Sequence, residues 1–346
     1  MAFALVSKGG FTPMVRVTVD GQEVAGGFYS RLIKLSTRDD AGQTSDQVTI
    51  ELDDAGNMIA RPRDKARIEV WLGYKETGLV KIGTFEMQSF ERKGSVSAGE
   101  TVTIQASAAD LKKQLKGSGR EAFEDKTFGD IVGAIAKRNG LTPAVDGDLA
   151  KIKIPYRARI DASDIDFLTT LADEHDAVIK PMGTRLVAAP RGKAKSASGA
   201  ALSPIMIEKA DCQDWSFSPD SRAQYGKVKT AYVDQKTGKR VVEAAETGLE
   251  GPDFTVRDPL PNKEQAKKKS EAEARRLTRN TASGHFTMKG RPEAQAEADV
   301  VLGSSWPSDM QMTIRADSVE HELSADGFLT KVEVKAKEDG SSSKKD

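Results

Sequence analysis

From Met14 to Ala106 apolar and polar residues alternate in short runs, the period-two signature of half-buried strands. Val15, Val17 and Val19 alternate with Arg16 and Thr18, and Asp20-Gly21 predicts a hairpin turn immediately after them. Leu32, Ile33 and Leu35 mark a second strand, and Val48, Ile50 and Leu52 a third. Arg67–Tyr74, Leu79–Met87 and Thr101–Ala106 extend the series. Short strands at this spacing, with no helical period between them, predict a small antiparallel barrel or sandwich. The polar stretch Thr37–Gln47 reads as a connection longer than a hairpin needs, and long ordered loops tend to carry contacts.

The period then changes. Thr127 and Asp130 fit a capping box, Phe128, Ile131, Val132 and Ile135 share one helical face, and Lys137-Arg138-Asn139-Gly140 supplies a stop. A strand near Ile152–Tyr156 follows. Ser163 to Ala189 (SDIDFLTTLADEHDAVIKPMGTRLVAA) then reads as a helix capped by Ser163 and Asp166. Phe167, Leu168, Leu171, Ala172 and His175 fall on one side of it. A hairpin of Ala177–Lys180 and Arg185–Ala189 follows, turning at Pro181, Gly183 and Thr184. The turn-rich Arg191–Ser203 reads as a flexible connection.

Strand patterns resume at Lys227–Val233, Arg240–Glu243, His285–Met288, Val300–Leu302, Gln311–Arg315, Asp317–Leu323 and Phe328–Lys335. Asp326-Gly327 predicts the hairpin closing the last pair. One helix, Asn262 to Thr281, interrupts them. Its narrow apolar stripe of Ala266, Ala274 and Leu277 predicts that it lies against a sheet edge with its charged side outward. The expected fold is mainly β with an α+β insertion: two similar antiparallel β-barrels flanking a small α/β unit. The expected boundaries are 1–112, 113–203 and 204–336, with a disordered tail at 337–346.

Composition narrows the chemistry. Basic and acidic residues balance at 52 each, so no net field draws nucleic acid or an anionic membrane. The single cysteine, Cys212, excludes a disulfide framework and a cysteine-based zinc site. No basic n-region, signal-like apolar run or membrane-length stretch is visible, so a soluble protein is expected. His175, His285 and His321 show no H-x-x-x-H spacing; His175 reads as a helix-end residue whose partly cationic ring suits that terminus. The carboxylates of Asp53, Asp54, Asp161, Asp164, Asp166, Asp173, Glu174 and Asp176 cluster at helix starts and turns, where capping accounts for them. No G-x-S-x-G, P-loop or dinucleotide fingerprint is present. With no catalytic set in view, an assembly role is favoured over an enzyme.

Six segments occur together in a recognisable order: SDQVTIELDD, IEVWLGY, LVKIGTFEM, TFGDIVGAIAKRNGLTP, ASDIDFLTTLADEHDAVI with GTRLVAAPRG, and HELSADGFLTKVEVKA. In this the chain resembles the phage late control D family, the baseplate hub proteins of contractile phage tails, similar in fold to the hub portion of type VI secretion spike proteins. The resemblance implies a homotrimer in which each subunit supplies two similar β-barrels, giving a pseudo-six-fold ring. That ring would join a hexameric tail tube to a trimeric central spike and contact other baseplate proteins. It also implies a virion or injection-particle location after synthesis in the host cytoplasm, and no cofactor, metal or catalytic residue.

The contact residues expected on this view are Arg38, Asp39, Asp40 and Asp46 in the polar stretch, and Lys267, Lys268 and Arg275 on the charged helix. Interleaved acids and missing aromatics argue against that helix as a nucleic-acid site. The alternative from another class is a peptidoglycan-binding or peptidoglycan-cleaving tail protein, gripping glycan through Asp164, Asp166 and Glu174. A type VI spike protein is a further rival, disfavoured because no needle-length segment follows Lys335.

Overall fold

The computed structural model describes residues 3–4, 11–41, 46–97, 99–108, 115, 117–182, 185–191, 202–219, 225–234, 236–279, 282–308, 310–311 and 313–337. The front of the chain forms β1 (Phe3–Ala4), β2 (Pro13–Val19), β3 (Gln22–Glu23), α1 (Gly26–Ser30), β4 (Leu32–Asp40), β5 (Gln47–Asp53), β6 (Arg67–Tyr74), β7 (Gly78–Ser95) and β8 (Gly99–Ala108). The predicted alternation is real: Val15, Val17, Leu35, Val48, Ile50, Leu52, Ile68, Val70, Leu72, Val102 and Ile104 are buried in one core. Asp20 and Gly21 both take positive φ, 52° and 81°, as the tight turn between β2 and β3 requires.

The middle forms β9 (Ser118–Thr127), α2 (Phe128–Arg138), β10 (Thr142–Val145), α3 (Gly147–Ala150), β11 (Lys153–Ser163), α4 (Asp164–Glu174), β12 (Ala177–Met182) and β13 (Arg185–Pro190). Thr127 and Asp130 close the predicted capping box on α2, and the Ser163 hydroxyl accepts from the Asp166 amide at the start of α4. Phe128, Ile131, Val132 and Ile135 of α2 meet Phe167, Leu168, Leu171 and Ala172 of α4 in a second core against β12 and β13. β9 and β11 stand apart as a two-stranded ribbon.

The rear forms β14 (Ile205–Ile207), β15 (Cys212–Pro219), β16 (Lys227–Val233), β17 (Arg240–Glu246), β18 (Asp253–Thr255), α5 (Lys263–Arg279), β19 (Ala282–Lys289), β20 (Asp299–Leu302), β21 (Thr313–Ser324) and β22 (Gly327–Ala336). The expected strands Gln311–Arg315 and Asp317–Leu323 are one strand, β21, with its register shifting between Ala316 and Ser318. Two expectations are corrected here. Lys227–Val233 and Arg240–Glu243 do not join the main rear sheet; β16 lies between β17 and β18 in a separate small sheet. The helix α5 packs on the face of that sheet, over β16 and β17, rather than on an edge. Its alanines allow the close approach: Ala266 and Ala274 are buried, and the Thr230 hydroxyl of β16 donates to the Ala266 carbonyl at 2.7 Å.

Front and rear strands share one sheet, ordered β1-β2-β6-β7-β8-β5-β4-β21-β22-β19-β15 among the described residues. The join is the antiparallel pair β4–β21, with Leu35 opposite Leu323, Thr37 opposite His321 and Asp39 opposite Val319. Leu323 and Phe328, at the turn end of the last hairpin, fall in the front core. A third core gathers Phe286, Met288, Val300, Trp306, Ile314, Val319 and Val332. Residues 192–201 and 338–346, most of the expected linker and tail, lie outside the described residues.

Candidate partner-contact site

The stretch expected as a long contact loop is mostly strand. Thr37, Arg38, Asp39 and Asp40 belong to β4 and pair with β21, so the loop of Thr37–Gln47 is corrected to the few residues between Asp40 and Gln47; residues 42–45 lie outside the described residues. The run R-D-D shows no alternation, but cross-strand charges hold it. Arg38 Nε donates to Asp40 Oδ1 at 2.8 Å and its Nη2 to Glu333 Oε2 at 3.2 Å. Burial works against the charge on Glu333, yet the Ser318 hydroxyl at 2.8 Å, with Arg38 and Lys331, holds its carboxyl below the usual range.

The acids of this stretch turn toward the middle of the chain. Lys180 on β12 donates to Asp39 Oδ1 at 3.1 Å and to the Asp40 carbonyl at 3.1 Å, and forms an ion pair with Asp46. Asp39 Oδ2 also accepts the Ala296 amide at 2.9 Å. Two segments far away in sequence, at Lys180 and Ala296, therefore converge on the stretch that carries Asp39 and Asp46. Desolvation, then repulsion by Asp39, pushes the Asp46 carboxyl up to about 7, against the pull of Lys180. Desolvation opposes the charge on Lys180 too, but Asp39 and Asp46 prevail and its pKa stands above the ordinary lysine value. Sequence reasoning missed Lys180. The available signal was a single cation inside the apolar run Ala177–Pro181.

The helix residues divide in the same way. Arg275 Nε of α5 donates to Asp176 Oδ2 at 2.6 Å, pinning the helix to the segment after α4, and Asp176 is itself buried. Lys268 pairs with Glu264 one turn back at 2.9 Å, and Lys267 is exposed. The structure thus brings Arg38, Asp39, Asp40 and Asp46 together, and leaves Lys267, Lys268 and Arg275 on a separate helix. His175 differs from its expected cationic state: burial, then Lys268 and Arg157 nearby, bring its pKa down to about 4, so the ring is neutral at pH 7.

The carboxylates weighed for glycan chemistry have structural partners. Asp164 accepts from Arg138 Nε at 3.0 Å and from Asn139 Nδ2 at 2.9 Å, and also meets Arg159. Asp166 shares the Ser163 cap, and Glu174 accepts from Arg157 Nη2 at 2.6 Å.

Residues 77–305, about two thirds of the chain, match the model of the phage tail baseplate hub (GPD) family. The chain belongs to that family. A probable baseplate hub protein of Escherichia phage 186 is 32% identical over 267 residues, spanning 75% of this chain and 68% of the relative. One from Escherichia phage P2 is 32% identical over 228 residues, spanning 66% of this chain and 58% of that one. Among solved structures, the 43 kDa tail protein of prophage MuSo2 from Shewanella oneidensis shares the fold, with a TM-score of 0.71 at 13% identity over 94% of this chain and 99% of that one. The hub family places this chain in the phage tail, as a structural component of the baseplate.

Proposed function

We propose that this hub joins tail tube to central spike as a homotrimer, each copy supplying a front and a rear barrel-like half to a quasi-six-fold ring. The observation that carries this reading is the β4–β21 pair, which runs front and rear strands into one sheet. The main run of the sheet ends on β1 from the front and β15 from the rear, and β3 on β2 and β14 on β20 branch from it, among the described residues. Open edges on both halves are what a closed cyclic assembly needs, because a front edge of one copy can then be covered by the rear of the next. A chain with two comparable halves converts three-fold symmetry at a spike into quasi-six-fold symmetry at a tube. Its partners on this view are the tube protein, the spike protein and neighbouring baseplate proteins. It is synthesised in the host cytoplasm and carries no catalysis. The exposed Lys267 and the half-buried Arg38 and Lys268 are offered to those partners, whereas Asp39, Asp46 and Arg275 hold the subunit together. On this reading the domains divide near residues 112 and 203, with Leu323 and Phe328 of the rear reaching into the front core.

Light scattering on the purified chain tests this: a mass near three subunits, with ring-shaped particles in negative stain, is the expected result. A monomer at micromolar concentration overturns the trimer. Peptidoglycan hydrolysis that disappears in Asp166→Ala or Glu174→Ala would replace the reading with the muralytic one.

A further inference from the structure

Between the ribbon strand β11, the end of α4 and the start of α5 lies a cleft of about 360 Å³. It shares only Lys268 with the expected contact set. Its floor is apolar, with Ile154, Leu171, Leu260 and Pro261. Its rim is cationic. Lys153, Arg157, Lys268 and Lys269 face it together with Glu174 and Glu264, and both acids are already engaged, by Arg157 at 2.6 Å and Lys268 at 2.9 Å. Glu264 also feels the charge of Lys153, but the rim still sets four cations against two acids, which leaves it with surplus positive charge.

Two wall groups are left in an uncommon state. His175 Nδ1 and Arg157 Nε are buried from solvent and have no hydrogen-bond partner in the structure. Neither atom is open to a ligand, so the cost of about 1–3 kcal/mol for each unpaired group is carried by the fold. We propose that this cleft binds an extended acidic segment of a partner protein, its carboxylates meeting Lys153 and Lys269 at the rim while an adjacent apolar side chain enters the floor. The choice of a protein segment over a metabolite rests on the hub reading. The acidic character rests on the rim charge alone. A bound carboxylate also relieves the crowding of His175 by Lys268 and Arg157, so the imidazole reports occupancy directly.

The test titrates a short fluorescein-labelled peptide of alternating glutamate and leucine into the full chain and follows anisotropy, with a lysine–leucine peptide as the charge-reversed control. The expected result is saturable binding of the acidic peptide alone. It weakens about tenfold or more in the rim double variant Lys153→Glu/Lys269→Glu, and the imidazole nitrogen resonances of His175 shift on binding. Equal binding of both peptides, an acidic peptide indifferent to the double variant, or displacement by inorganic phosphate at matching concentration overturns the proposal; the last leaves a small-anion site only. Light scattering on the same sample separates the two readings. Failure of peptide binding by a trimer sinks the cleft assignment and leaves the hub reading standing.

Discussion

Replacing Lys180 with methionine is expected to cost about 2–3 kcal/mol of unfolding free energy near pH 8, because it strips the countercharge from two half-buried carboxylates. The Lys180 side chain is only 12% exposed and reaches Asp39, the Asp40 carbonyl and Asp46 from a strand of the middle unit. Without it, Asp39 keeps the Ala296 amide but faces Asp46 across a poorly solvated gap. The rescue identifies the cause. Asp46→Asn added to Lys180→Met removes one of the two repelling charges and is expected to recover most of the loss, which a simple cavity at position 180 would not allow. Urea denaturation of wild type, single and double variants gives the comparison. A loss below about 1 kcal/mol for Lys180→Met would show that the cluster behaves as an ordinary solvated surface pair.

How much of this was legible beforehand follows from what each element depends on. β2 and β5 were readable because one face is core and the other solvent, so Val15–Val17 and Val48–Ile50–Leu52 alternate with polar residues. α2 and α4 were readable because their caps are local chemistry. β9 was not: in Ser118–Thr127 only Phe123 is buried, stacked on Phe167 in the middle core, so the strand carries one apolar anchor and no hydrophobic period. β10 and β15 contain Pro143 and Pro219, which read as breakers, although both strands are short. The strand at Thr37–Asp40 and its partner Lys180 were hidden for another reason. Asp39 belongs to β4 by pairing with β21, almost the whole chain away, and a single sequence holds no pairing information over that distance. The same limit hid the separate sheet that β16 and β17 form with β18.

The buried His321, the half-buried His175 and one raised carboxyl are expected to set opposing slopes of stability between about pH 7 and pH 5. His321 lies in the β4–β21 seam, opposite Thr37, with Nδ1 2.9 Å from the Thr330 hydroxyl. Desolvation brings its pKa down to about 4, as it does for His175. For each, the unfolded state binds a proton near 6.5 that the folded state refuses until about 4. Their stabilisation is therefore complete above 6.5 and is lost as pH falls, by about 2 kcal/mol each between pH 7 and pH 5. Asp46 acts in the other direction. Its folded pKa of about 7 exceeds the ordinary 3.8, so the folded state holds the extra proton and stability rises over the same interval, by about 2 kcal/mol. The wild-type profile is the shallow sum of these slopes, and substitution separates them. Asp46→Asn should steepen the loss on acidification, to about 4 kcal/mol across the interval, while His321→Gln, which can keep the Thr330 hydrogen bond, should nearly flatten it. Carboxylates held below their ordinary range, such as Asp20 and Asp54, titrate under this window and leave the comparison clean. Urea midpoints at the two pH values decide the matter: a His321→Gln slope equal to wild type means the seam histidine carries its proton in the fold.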